Sequence, residues 1–144
     1  MKISTILLVE DNPNDVELIL SSLKEFKLAN SIDVVYDGVE AMEYLRSEGK
    51  FKKRKPEYPS VVFLDIKMPK MDGIEVLEAI RKDQNLKFIP VVMLTSSRED
   101  QDLLKCYSLG VNAYVVKPVD FDQFTETIKT LGFFWAVLNV RPPM

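Results

Sequence analysis

The chain has 144 residues, 47% of them apolar, and a formal net charge of −3, which suits a single domain over residues 1–144 and gives no reason to expect nucleic acid or an anionic membrane as partner. One cysteine, Cys106, and no histidine exclude an internal disulfide, a Cys/His zinc site and a histidine-based triad, and leave only oxygen ligands, of the kind that suit magnesium, calcium or manganese, for any metal. The longest apolar run, Phe133 to Leu138, is far too short to cross a membrane, and the N-terminus passes straight into a strand pattern without a signal peptide, so a cytoplasmic location is expected.

In chain order, Ile6 to Val9 is a continuous apolar strand that ends at Glu10-Asp11. Asn12-Pro13 then opens a helix with Val16, Ile19, Leu20 and Leu23 on one face. Ser31 to Tyr36 reads as a second strand, with Ile32, Val34 and Tyr36 alternating with Asp33 and Val35, and Asp37 caps a helix whose Ala41, Met42 and Leu45 face inward. Gly49 to Pro59 is a basic surface loop carrying Lys50, Lys52, Lys53, Arg54 and Lys55, broken by Pro56 and Pro59. It lacks the aromatic platform or recognition helix of a nucleic-acid binder.

Val61 to Leu64 reads as a strand buried on both faces, stopping at Asp65; Met68-Pro69 breaks the pattern and Asp72-Gly73 enters a helix with Val76, Leu77 and Ile80 on one side. Ile89 to Leu94 is the fourth strand, ending at Thr95-Ser96-Ser97, followed by a polar helix with Leu103, Leu104 and Tyr107 as its apolar members and Gly110 just past its end. Ala113 to Val116 is the fifth strand, ending at Lys117-Pro118. Asp120 then caps a last helix, with Phe121, Phe124, Ile128, Leu131 and Trp135 on one face and a short tail to residue 144. Five strands alternating with five helices mean an α/β fold: a parallel sheet, covered on both sides and joined by right-handed crossovers.

Parallel strands end on one side of their sheet, so Glu10, Asp11, Asp65, Thr95 and Lys117 can converge at one edge. Crowded carboxylates repel by roughly 4 kcal/mol per pair at contact distance. A divalent cation and one lysine would offset that. Magnesium fits such a set, since it takes one or two carboxylates and phosphate oxygens. The arrangement suits in-line phosphoryl transfer onto Asp65, with the metal and Lys117 neutralising the transferring oxygens and Thr95 hydrogen-bonding the attached group. Each residue also has a plainer reading: Asp65 as a turn aspartate, Glu10-Asp11 as an acidic helix start, Thr95 as a helix cap, Lys117 as a solvated loop lysine, Tyr114 as a half-buried strand aromatic.

The run Glu10-Asp11, the stretch Val-Val-Phe-Leu-Asp65-Ile-Lys-Met-Pro-Lys-Met-Asp-Gly, Thr95-Ser96 and Tyr114-Val-Val-Lys117-Pro118 together resemble the receiver domain of two-component response regulators, over about residues 4 to 134. The resemblance implies a flavodoxin-like doubly wound (βα)5 sheet of order 2-1-3-4-5. It implies Asp65 as phosphoacceptor, Asp11 and Asp65 as direct Mg2+ ligands, Glu10 as a water-mediated one and the Lys67 carbonyl as another. Thr95 and Tyr114 would be a switch pair, and the Lys117–Pro118 bond would be cis. Glu10 stands where an Asp is commoner, and the basic loop is longer than in many members. That loop, the Val-Glu-Asp-Asn-Pro-Asn-Asp run and the terminal Gly-Phe-Phe-Trp resemble the single-domain regulators that partner bacterial phytochromes.

Without a histidine of its own, the chain would take phosphate from a sensor histidine kinase or a small phosphodonor, catalyse its own dephosphorylation, and act through contact with another protein. Leu131, Phe133, Phe134, Trp135, Val137, Leu138 and Val140 are apolar around the last helix, which fits either burial within the monomer or a homodimer interface. Two other readings remain: an aspartyl-phosphate phosphatase, whose second Asp would stand where Lys67 is, and a phosphorylation-independent adaptor on the same fold.

Overall fold

Strands apolar at every position must be covered on both faces, and the computed structural model, which describes residues 5–25, 31–54 and 57–143, has that architecture. Strands β1 (Thr5–Val9), β2 (Ser31–Val35), β3 (Val61–Leu64), β4 (Val91–Thr95) and β5 (Ala113–Val116) form one parallel sheet in the order β2-β1-β3-β4-β5. The helices are α1 (Pro13–Glu25), α2 (Gly38–Arg46), α3 (Gly73–Lys82), α4 (Asp100–Ser108) and α5 (Phe121–Phe133).

The two-residue side-chain period of a strand splits the core in two. Leu7, Val9, Val62, Leu64, Val91 and Met93 pack with Ala41, Met42 and Leu45 of α2 and Val76, Leu77 and Ile80 of α3. The alternate residues, Ile6, Leu8, Val61, Phe63, Val92 and Leu94, pack with Val16, Ile19 and Leu23 of α1 and Phe124 and Ile128 of α5. Among the described residues Phe63 is the largest fully buried side chain. Its truncation to Ala would cost about 3–5 kcal/mol.

Several sequence expectations are adjusted. β2 ends at Val35, which is the buried member, while Tyr36 is 51% exposed; on an edge strand only the residue facing α2 is fully covered. β4 starts at Val91, because Pro90 ends the approach. In α4 the side chain that reaches the core is Cys106, and Leu103, Leu104 and Tyr107 are exposed. Phe121, expected on the inner face of α5, is 65% exposed; it lies in the first turn, before the helix meets the sheet. α5 ends at Phe133 and continues as one π-helical turn over Phe134–Leu138.

The basic loop is tied down. A 3-10 turn at Gly49–Phe51 sets Phe51 edge-on to the Tyr44 ring at 5.3 Å. Arg54 lies over that ring at 4.0 Å and donates from Nε and Nη2 to the Tyr44 carbonyl. Lys50 pairs with Glu40. Lys55 and Pro56 lie outside the described residues, as do Met1 to Ser4.

Candidate functional site

Sheet register builds the site. Val9 pairs with Leu64, so Glu10 and Asp65 are the next residues along two adjacent strands. The ladder runs on past the strands: Asp65 N donates to Val9 O at 3.1 Å and Glu10 N to Val35 O at 3.0 Å. Thr95 pairs with Val116, and Lys117 N donates to Thr95 O at 2.7 Å. Connections depart to opposite faces on either side of the β1–β3 junction, the crevice where open α/β sheets bind ligands. Gly73 lets α3 start against this edge. A Cβ there would lie 2.1 Å from the Asp65 carbonyl oxygen, and the helix is fixed by a capping box between Asp72 and Glu75.

One Asp65 oxygen, Oδ1, accepts from Ile66 N at 2.8 Å, as the turn reading requires; the other, Oδ2, lies 3.5 Å from Lys117 Nζ. Lys117 is not a solvated loop lysine. Its side chain is 9% exposed and Nζ donates to Glu10 Oε1 and, at 2.9 Å, to Asp15 Oδ2. Carboxylate oxygens of Glu10, Asp11 and Asp65 lie within 4.8 Å of one another. An oxygen-only set of this kind fits a hard divalent cation. Beside it opens a cavity of about 830 Å³, lined in part by Asp11, Asp65, Lys67, Ser96 and Lys117.

Glu10 is 1% exposed. Burial pushes its carboxyl up to about 7; the Lys117 hydrogen bond opposes this, and the neighbouring Asp65 charge adds to it. Burial alone would lower Lys117, but its bonds to Glu10 and Asp15 and the Asp65 charge more than reverse that and raise it.

Thr95 is fully buried and does not cap α4, which starts at Asp100. Its Oγ1 accepts from Ser97 N at 3.2 Å. Tyr114, half-buried, donates from its hydroxyl to Ser97 O at 3.1 Å, and Ser97 Oγ donates to Asp102 Oδ2 at 2.7 Å. At the start of α1, Asn12 Oδ1 takes the amides of Asn14 and Asp15, and Glu10 Oε2 accepts from Asn12 N at 3.2 Å. The Lys117–Pro118 bond, expected cis, is trans. The trans form is favoured at most X-Pro bonds by about 0.5–1 kcal/mol, and here it already delivers Nζ to the acids.

Two residues of the site had no role assigned from sequence. Asp15 was visible only as the end of the Val-Glu-Asp-Asn-Pro-Asn-Asp run; its place in the first turn of α1 was the available signal. Ser97 was visible only as part of a polar strand end.

This sheet order, with an acidic crevice answered by a lysine at the end of the last strand, is that of a doubly wound α/β domain with its ligand crevice at the strand ends. The profile described as "Response regulator receiver domain" matches residues 6–129, and the chain belongs to that family. It is 38% identical over 138 residues to a probable methanogenesis regulatory protein, FilR2, of Methanothrix harundinacea, covering 95% of this chain and 86% of the relative. To the response regulator Rcp1 of Synechocystis it is 35% identical, covering 95% and 92%. Among solved structures it resembles the phosphorylated cyanobacterial phytochrome response regulator RcpA (TM-score 0.92, 37% identity, 99% of this chain and 100% of that one). It also resembles the Mn(2+)-bound form of Rcp1 (0.90, 33%, 97% and 99%) and the bacteriophytochrome response regulator RtBRR (0.78, 54%, 99% and 86%).

Proposed function

We propose that the chain is a phosphoacceptor regulator that takes a phosphoryl group onto Asp65 from a sensor histidine kinase and signals by protein contact. The observation that carries this is the Lys117 ammonium lying 3.5 Å from Asp65 Oδ2, beside the Glu10, Asp11 and Asp65 oxygens. An Asp65 oxygen forms the new bond to phosphorus while the P–N bond of the donor phosphohistidine breaks, its electron pair leaving with the imidazole. Lys117, kept protonated by its acid partners, neutralises the transferring oxygens. Glu10, Asp11, Asp65 and the Lys67 carbonyl would hold Mg2+, which supplies Lewis-acid charge neutralisation when bound. Thr95 would donate to the attached phosphoryl group, and water attack on phosphorus would later return Asp65 to a carboxylate.

The likeness to RcpA and RtBRR supports a phytochrome as the kinase. The partner downstream is another protein, and the location cytoplasmic; no described helix is long and apolar enough to cross a membrane. The chain forms a homodimer through Leu131, Phe133, Phe134, Trp135 and Leu138. Supporting that surface, Phe133, Phe134, Val137 and Leu138 are all about half exposed.

The test is incubation with Mg2+ and acetyl phosphate followed by intact mass. One added phosphoryl group, lost in Asp65→Asn and in EDTA, is the expected result. An unmodified mass, or modification that survives Asp65→Asn, would overturn the reading.

A further inference from the structure

An ammonium has three N–H donors, and those of Lys117 face three carboxylates: Glu10, Asp15 at 2.9 Å, and Asp65 at 3.5 Å. The longest of these contacts is with the group proposed to react. The N–H that faces Asp65 at 3.5 Å must close on an arriving phosphoryl oxygen, and that advance of Nζ lengthens its bond to one of the other two acids. Glu10 is 2% exposed at its side chain and Asp15 is 26% exposed. Stranding a buried carboxylate costs far more than releasing one that water can reach. Asp15 is therefore the partner that yields.

Asp15 differs from the other acids in a second way. Its oxygens are not among those of Glu10, Asp11 and Asp65 that cluster closely enough to share a cation, so its charge in the site is answered by Lys117. It also comes from the first turn of α1, not from a strand end, and lines the same cavity as Asp65.

We propose that Asp15 is a positioning residue that holds the Lys117 ammonium back from the phosphoryl site in the resting protein, so that phosphorylation must first break the Asp15–Lys117 ion pair. This rests on the reading of Asp65 as phosphoacceptor. An Asp65 oxygen bonds to phosphorus, the donor's bond to phosphorus breaks and its electron pair leaves with the donor, and the lysine keeps all its protons. The Asp15 contact belongs to the ground state and is absent from both the transition state and the phosphorylated product. Its removal therefore speeds phosphorylation and leaves hydrolysis of the aspartyl phosphate unchanged.

Asp15→Ala is a usable variant because the helix cap runs through the Asp15 backbone N–H to Asn12 Oδ1, not through the side chain. With Mg2+ and either acetyl phosphate or phosphoramidate, Asp15→Ala is expected to be labelled about tenfold faster than wild type, the scale of one partly exposed charge-assisted bond. Asp15→Glu should return the rate toward wild type, and the half-life of the phosphorylated form should stay within about twofold. The gain should be equal for the two donors. A gain confined to the more highly charged acetyl phosphate, or removed by salt, means simple repulsion of anions at the cavity mouth and overturns the proposal. So does an unchanged rate alongside a lowered melting temperature. Should wild-type Asp65 not be labelled at all, the functional reading fails separately, and the Lys117 15Nζ resonance still decides the contact. It should shift in Asp15→Ala and return in Asp15→Glu; a resonance that does not move overturns the proposal.

Discussion

The hydroxyl of Tyr114 donates to the carbonyl of Ser97 at 3.1 Å, while the amide of the same Ser97 donates to Thr95 Oγ1 at 3.2 Å. The buried threonine that ends β4 and the aromatic on β5 thus meet through one serine, whose hydroxyl in turn donates to Asp102 of α4. Tyr114→Phe keeps the ring and deletes the donor. We expect a stability loss of about 1 kcal/mol, and phosphorylation-induced NMR shifts in α4 cut to less than about half. Shifts of full size in the variant would exclude the Tyr114–Ser97 contact from the coupling.

Glu10 gives a pH dependence of determined sign. Its folded-state value of about 7 lies above the ordinary 4.5, so the folded chain binds the proton more tightly than the unfolded one. Stability from this group is full below pH 4.5 and is lost as pH rises through 7. In EDTA, urea unfolding of wild type should weaken by about 3 kcal/mol between pH 4.5 and 8, relative to Glu10→Gln. Across the same range Mn2+ affinity should rise with pH, because a cation needs the carboxylate form. Parallel pH profiles for the two proteins would show that Glu10 does not titrate there.

Arg81 spreads one guanidinium over the carbonyls of Gly110, Lys87 and Ile89 and over Asn112 Oδ1, whose oxygen also accepts from Val91 N. It joins the end of α3 to the turns leading into β4 and β5. Arg81→Ala is expected to cost about 2–4 kcal/mol in denaturant unfolding, because several acceptors lose their donors together. Arg81→Lys should recover less than half, since an ammonium cannot reproduce the planar fork. Full recovery by lysine would mean that charge alone is at work.

Self-association is best probed at Leu138, which is 56% exposed, and not at Trp135, which packs against the α1–α5 side of the core. Leu138→Asp should raise the dimer dissociation constant at least tenfold in sedimentation velocity, with no change in melting temperature. A wild-type chain monomeric at high micromolar concentration, phosphorylated or not, would remove the interface.

The sheet was legible because its strands are uninterrupted apolar runs that stop at polar residues, and Asp37, Asp72 and Asp120 mark helix starts by an acid at the cap. Glu10, Asp11, Asp65, Thr95 and Lys117 were legible for the same reason: each follows or ends a strand. Asp15 was not, because a first-turn acid is ordinary helix chemistry, and only the reach of Lys117 across the sheet edge gives it a partner. α4 misled for another reason. Its three large apolar residues advertise an inward face, yet Cys106 is the one that fits beneath the helix, where burial pushes its thiol up to about 11. Periodicity reports which residues are apolar, not how closely a helix approaches its sheet.

The π turn at the end of α5 closes with Asn139 N donating to Phe134 O at 2.7 Å, across five positions instead of four. One residue is thus accommodated without lengthening the rod, and everything after it points about a quarter-turn away from where an unbroken spiral would aim it. Deleting a single residue between 134 and 138 would take out that slack, bringing the tail from Asn139 onward round to a different side of the molecule while leaving the carboxylates at the strand ends untouched.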